Sequence, residues 1–156
     1  MNRTIKKVAI LGSGVMGSRI ACHFANIGVQ VLLLDIVPFE LNEEEQKKGL
    51  TKESPLVRNR IVTTALQNTL KSNPSAIYEK SNASRITTGN FDDDLPKIKD
   101  YDWVIEVVVE RLDIKQQLFE KVEKYRKPGT LITSNTSGIP MHLMSDGRSE
   151  DFQAHF

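Results

Sequence analysis

Three glycines and one acid carry the most specific chemistry in this chain. Gly12, Gly14 and Gly17 stand in G-x-G-x-x-G spacing, and Asp35 follows 21 residues after Gly14 and 18 after Gly17. Where a strand turns into a helix, glycines so spaced do separate jobs. Gly12 permits the tight turn, Gly14 keeps a Cβ out of the path of a pyrophosphate, and Gly17 lets the helix lie close against the strand. The backbone N–H groups of the loop residues Ser13, Val15 and Met16, with the positive end of the helix dipole, then face the phosphates. A carboxylate at the distance of Asp35 is placed to accept both hydroxyls of an adenosine ribose. Its charge repels a 2′-phosphate, and Ile36 and Val37 offer no arginine to welcome one. The combination points to NAD rather than NADP, provided that a strand, a helix and a second strand surround the glycines.

The flanking pattern supplies those elements. Val8, Ile10 and Leu11 form a short apolar strand; Met16, Ile20, Phe24 and Ile27 recur at helical spacing, and Gly28 sits where a C-terminal glycine belongs. Val29–Leu34 is a continuous apolar run of the kind buried in a parallel sheet. Two further helices are expected before the next strand. The first lies within Pro38–Gly49, acidic at its start and basic at its end; the second, after a turn at Thr51–Pro55, has Val57, Ile61, Val62, Ala65, Leu66 and Leu70 on one face. A simple crossover needs one helix, so Val37–Ser84 reads as an elaboration on the sheet. Its Lys47, Lys48 and Lys71 either meet a phosphate-bearing substrate or simply face water.

Arg85–Gly89 reads as a third strand and Asp92–Ile98 as a brief helical turn, whose consecutive Asp92, Asp93 and Asp94 suit a solvated helix start better than a metal site. Asp102–Glu110 is a fourth strand with its exit, and Thr130–Thr133 a fifth, separated by a helix over Asp113–Tyr125. Ligands of an open α/β sheet lie beyond the carboxyl ends of the strands, so Glu110 and the Ser134-Asn135-Thr136-Ser137 segment are delivered to the same cleft as the glycines. The polar segment is either a helix cap before Pro140 or a holder for a substrate oxygen. The last residues are expected to form a short helix and then enter a sixth strand. The fold class is therefore α/β, a Rossmann-type doubly wound, mainly parallel sheet with an inserted helical pair after the second strand.

The totals exclude several classes. With 156 residues, the chain has the length of one domain, and a net charge of +1 argues against nucleic acid as the main partner. A single cysteine, Cys22, rules out an intrachain disulfide, no metal-ligand cluster is evident, and no apolar run approaches the length of a membrane span. The basic start is not a signal peptide, because the apolar run after it is broken by three glycines and then Arg19; the cytoplasm is the expected compartment.

Three stretches taken together, GSGVMGSRIACHFANIGVQVLLLDI, DWVIEVVVERLDIKQQLF and TSNTSGIP, strongly resemble the N-terminal NAD-binding domain of the 3-hydroxyacyl-CoA dehydrogenases, and the likeness covers nearly the whole chain. It is strongest to bacterial forms that continue into a much longer polypeptide, often with an enoyl-CoA hydratase region. The resemblance implies NAD-dependent oxidation of a 3-hydroxyacyl-CoA in fatty-acid β-oxidation. It makes Asp35 the ribose acid, Glu110 and Lys115 cofactor contacts, and Ser137 the serine beside the substrate oxygen and the nicotinamide. It also implies a histidine base within F-x-G-x-H-F-F-N-P, a partner glutamate, and a helical domain that encloses substrate and makes a homo-oligomer. His155-Phe156 fits that motif poorly, since Phe152 precedes His155 by one residue too few and without the glycine. The better register takes Phe156 as the leading phenylalanine, with the histidine just past it; the alternative makes His155 the base. On this reading residues 1–156 are one NAD-binding domain that binds cofactor and turns over little by itself. Competing families fit less well: the NADP-using β-hydroxyacid dehydrogenases end their second strand in Asn-Arg rather than Asp35-Ile36, and a methyltransferase would not call for S-N-T-S. A non-catalytic NAD sensor remains open.

Overall fold

In the computed structural model, which describes residues 3–156, the apolar runs become a five-stranded parallel sheet in the order β3-β2-β1-β4-β5. β1 (Lys7–Leu11), α1 (Val15–Asn26) and β2 (Gln30–Asp35) follow one another as the glycine pattern requires. β1 is the central strand, pairing Leu11 with Leu34 on one side and with Glu106 on the other. Its residues alternate between two cores. Ala9 and Leu11 point to one face of the sheet with Leu32, Leu34, Val104 and Phe119; Val8 and Ile10 point to the other with Ala21, Cys22, Ala25 and Leu33. A strand covered on both faces needs no polar alternation, which is why β1 and β2 read as unbroken apolar runs.

The inserted helical pair is present between β2 and β3. Its first member is short, α2 (Glu43–Lys47), and begins in a capping box: the Asn42 side chain accepts from Glu45 N–H, and the Glu45 carboxylate accepts from Asn42 N–H. Its second member is split into α3 (Pro55–Arg58) and α4 (Arg60–Leu70), because Asn59 leaves the helical conformation at φ −102°. Two anchors explain the break. Asn59 Oδ1 accepts from the Asn90 side chain, and Arg58 pairs with Asp93 at 2.7 Å. A groove of about 620 Å³ runs between these helices and β3, with Lys48, Arg60, Thr64 and Thr88 among its walls.

After a 3-10 turn (Lys80–Arg85) come β3 (Ile86–Asn90), α5 (Phe91–Asp94) and a second 3-10 turn (Leu95–Asp100). The Asn90 side chain caps α5 by accepting from Asp92 and Asp93 N–H. The three aspartates are thus committed to the cap, Arg58 and Lys97, and among the described residues no three His, Cys, Asp or Glu side chains gather as a metal group. β4 (Trp103–Glu106), α6 (Leu112–Tyr125) and β5 (Leu131–Ser134) complete the sheet. No helix among the described residues is long and apolar enough to cross a membrane.

The expected sixth strand is not found in the final residues. They form α7 (Met141–Ser145) and α8 (Glu150–His155). Ser149 accepts from Phe152 N–H as the N-cap, and Glu150 and Asp151 supply the acidic first turn. The helix then places Phe152 and Phe156 one turn apart, and both rings pack on Phe119 with centroids 5.8 and 5.1 Å away. Burying the Phe152 ring completely is worth about 2–3 kcal/mol, and the helix keeps the Phe156 ring 5.6 Å from it so that both reach Phe119, whereas an extended chain would set the two residues about 13 Å apart.

Candidate functional site

The order in which strands are added to the sheet reverses between β1 and β4. Chain order runs from β1 through β2 to β3 on one side and from β4 to β5 on the other, which opens a crevice beyond the carboxyl ends of β1 and β4. The glycine turn occupies one wall of it. Gly12 N–H donates to Leu34 O at 2.8 Å, so the turn begins by continuing the β1–β2 ladder. Gly12 then takes φ +117°, and a Cβ there would lie 2.4 Å from Val107 O; a Cβ on Gly17 would lie 1.9 Å from Gly12 O. Both positions are closed by backbone. Gly14 differs, since a Cβ there meets nothing within 4 Å. Gly14 is also the N-cap of α1, where no side chain caps the helix, so the first N–H groups of α1 are left for an outside acceptor. Val15 and Met16 beside it are 76% and 52% exposed, more than a helix start needs unless something covers it.

Asp35 ends β2 against this turn. Its Oδ2 accepts from Ser13 N–H at 2.7 Å and from the Ser13 hydroxyl, and its Oδ1 accepts from Ile36 N–H at 2.7 Å. Ser13 itself is 1% exposed. Three of the roughly four lone-pair positions of Asp35 are thus taken, and the one left on Oδ1 serves a single ribose hydroxyl rather than both.

The opposite wall comes from β4 and β5. Val107 N–H continues the ladder to Leu11 O at 2.8 Å, after which the chain leaves the sheet. The fourth strand is therefore shorter than its apolar run, because the Glu106 carboxylate turns back to accept from Val108 N–H at 2.7 Å. Glu106 is completely buried, and Lys115 is 1% exposed. The Lys115 ammonium reaches both Glu106 oxygens, at 2.7 and 2.8 Å, and Glu110 Oε2 at 3.2 Å. The Ser134 hydroxyl donates to the second Glu106 oxygen. One buried carboxylate thus joins β4, α6 and the end of β5.

Glu110 sits above this pair and organises the S-N-T-S loop. Its Oε1 accepts from the Thr136 hydroxyl, from Ser137 N–H at 3.1 Å and from Gly138 N–H at 3.0 Å. The Thr136 hydroxyl, the Gly138 and Ser137 amides and Lys115 together pull the Glu110 carboxyl down to about 2. With a native value below the ordinary 4.5, the unfolded chain takes up the proton first as pH falls. The contribution of Glu110 to stability is thus complete above about 4.5 and disappears as pH drops towards 2. Unfolding midpoints measured in urea across that window should fall less steeply in Glu110→Gln than in the wild type; parallel curves would show that the loop hydrogen bonds carry no such linkage. Because the side chain is 42% exposed, water screens its ion pair, and the effect is expected to be small.

The expected site residues therefore divide. Gly12, Ser13, Gly14, Val15, Met16, Gly17 and Asp35 are brought together on one wall, and Glu110, Lys115 and Ser137 on the other. Ser137 is exposed, and among the described residues its hydroxyl has no partner. Lys115 lies behind Glu110 rather than at the surface. His155 is elsewhere: its Nδ1 lies 2.7 Å from Asp151 O, and its Nε2 is beside Gly129, ahead of the amino end of β5. Ser134 and Thr136, expected as part of a helix cap or a holder for a substrate oxygen, instead give their hydroxyls to Glu106 and Glu110, and Glu106 itself carries no expected role. The one local signal for Glu106 is a charge set inside the apolar run Val104–Val109.

Fold and site together define a dinucleotide-binding Rossmann domain. The sequence profile of the 3-hydroxyacyl-CoA dehydrogenase NAD-binding domain matches residues 7–156, and the chain belongs to that family. It is 54% identical over its full length to a probable 3-hydroxyacyl-CoA dehydrogenase of Bacillus subtilis, of which it spans 20%. It is 38% identical, again over its whole length and 20% of the relative, to a putative fatty acid oxidation complex trifunctional enzyme of Rickettsia felis. Among solved structures, the 3-hydroxybutyryl-CoA dehydrogenase of Escherichia coli K12 superposes with a TM-score of 0.63 at 28% identity, over 95% of this chain and 28% of that one. The chain thus spans about a fifth of the length of these two curated relatives.

Proposed function

We propose that this chain is the cofactor-binding part of an enzyme that oxidises the 3-hydroxyl of an acyl-CoA to a ketone in fatty-acid β-oxidation, with NAD accepting the hydride from C3 and the hydroxyl proton passing to a base. The observation that carries the reading is the pairing of the two walls across the switch point. The glycine turn with Asp35 suits the adenosine and pyrophosphate half of a dinucleotide, and the Glu110-held loop presents the free Ser137 hydroxyl where the reacting half would lie. The open Cβ position at Gly14 and the uncapped start of α1 fit a pyrophosphate.

In this reading Asp35 accepts from a ribose hydroxyl, and Val15 and Met16 offer their amides to the phosphates. Ser13, whose amide is spent on Asp35 and does not face the phosphates as expected, holds that acid. Glu110 and Lys115 keep the S-N-T-S loop in place, and Ser137 donates to the substrate oxygen. The base in this reading is not His155, whose ring is held by Asp151 and lies beside Gly129, ahead of the amino end of β5 and away from the cleft. The helical state of Glu150–His155 supports the register in which the family's F-x-G-x-H strand starts at Phe156 or later. The base, the helical domain that closes over the acyl-CoA and the homo-oligomer contact then belong to the longer protein, acting in the cytoplasm. Lys48, on the groove wall, is a candidate to meet the phosphates of the CoA.

Calorimetric titration of the chain with NADH and with NADPH tests this. NADH should bind more tightly, and Asp35→Ala should weaken it by about tenfold or more, the loss of hydrogen bonds to a charged acceptor. Preference for NADPH, or an Asp35→Ala chain that binds NADH normally, would overturn the reading. Reduction of a 3-ketoacyl-CoA by this chain alone at a rate near that of a full dehydrogenase would overturn the placement of the base.

A further inference from the structure

We infer that Ser13 is a cofactor-selectivity residue, acting through Asp35 as a clamp that keeps the acid pointed at an unphosphorylated ribose. The inference deepens the NAD-binding reading and rests on it. The middle residue of a G-x-G turn ordinarily contributes only its backbone, and any small side chain would serve there. In this chain both donors of Ser13, the amide and the hydroxyl, converge on the same oxygen, Oδ2 of Asp35. The hydroxyl is not a surface group that drifted into reach, since Ser13 is 1% exposed and its own carbonyl is fixed by the Ser18 hydroxyl at 2.6 Å. The other Asp35 oxygen is held by Ile36 N–H at 2.7 Å. Three donors therefore fix the carboxylate before any ligand arrives.

The consequence concerns discrimination as well as affinity. An acid that excludes a 2′-phosphate by charge does so strongly only if it cannot swing aside. Removing the hydroxyl takes one of the three holds and leaves Ser13 N–H and Ile36 N–H, one on each oxygen, so turning the Asp35 side chain aside breaks two hydrogen bonds instead of three and becomes accessible. NADH then loses the benefit of a pre-oriented acceptor, and NADPH gains a conformation in which the negative charge moves out of its way.

Two measurements on Ser13→Ala test this. Affinities for NADH and NADPH should converge: NADH binding falls about five- to tenfold, NADPH binding stays within about twofold, and Ser13→Ala made on an Asp35→Ala background changes neither. Proportional loss for both nucleotides, or an equal loss in the Asp35→Ala background, would mean that Ser13 only supports the turn and would overturn the clamp. The second measurement needs no cofactor. Three-bond N–Cγ couplings of Asp35 in the ligand-free protein should report one χ1 rotamer in the wild type and averaging in Ser13→Ala. A single rotamer in both would also overturn the clamp. If the couplings behave as expected but the wild type does not prefer NADH, the clamp stands and the assignment of the cofactor falls.

Discussion

Lys115→Met is expected to lower the stability of the fold by about 3–5 kcal/mol, the usual cost of removing one member of a buried ion pair. The methionine replaces most of the aliphatic stem, so little packing is lost. What is lost is the ammonium that reaches both oxygens of Glu106, a residue with no solvent exposure at all. Val108 N–H and the Ser134 hydroxyl remain as donors, but they cannot neutralise a full charge. Glu106→Gln with Lys115 intact should be milder, because the ammonium keeps Glu110 Oε2 at 3.2 Å and that carboxylate is partly exposed. Combining Glu106→Met with Lys115→Met should recover part of the loss, because Ser134 and Val108, which lose their acceptor, are only half-buried and can turn to water. Guanidinium unfolding of the three variants distinguishes these costs. A loss below about 1 kcal/mol in Lys115→Met would show that water reaches the pair and that it behaves as a surface bridge.

The partners of that pair are not visible in the spacing of the sequence. The strands and the two long helices against them were legible because burial on both faces leaves unbroken apolar runs, and burial on one face leaves a helical period. The cofactor wall was legible because its requirements are local: a turn of fixed length, followed by an acid one helix and one strand later. Lys115 could not be placed correctly in the same way, since its partner lies nine residues away across the end of β4 and spacing alone does not say whether a lysine faces in or out. The Ser13–Asp35 contact spans 22 residues and is equally invisible. The helix at Glu150–His155 differs in kind. Its Ser149 cap and acidic first turn are local signals, while the fold class, which calls for a further strand after β5, points the other way. The break at Asn59 came from outside its own segment, through Asn90 and Asp93.

Alanine at each of the three glycines should give two kinds of defect. Gly17→Ala places a methyl 1.9 Å from Gly12 O, and Gly12→Ala places one 2.4 Å from Val107 O at a φ of +117°. In both cases the obstacle is backbone, held by the ladder bonds of Gly12 to Leu34 and of Val107 to Leu11. Relief requires α1 or the β4 exit to move away from β1, and each variant should lose about 2–4 kcal/mol through overpacking and strain. Gly14→Ala meets nothing within 4 Å, and its φ of −55° with ψ of −175° is open to any residue. Its thermal midpoint should hold or rise slightly, because alanine restricts the unfolded chain by about 0.4–1 kcal/mol. The same methyl stands over the uncapped start of α1, so NADH affinity should fall by about tenfold or more, as phosphate contacts through charge-assisted hydrogen bonds are lost. Thermal melts and NADH titrations of the three variants therefore separate shape from recognition. A Gly14→Ala chain that melts early would make the turn a packing device at all three glycines; one that is stable and binds NADH normally would place the pyrophosphate somewhere other than the mouth of α1.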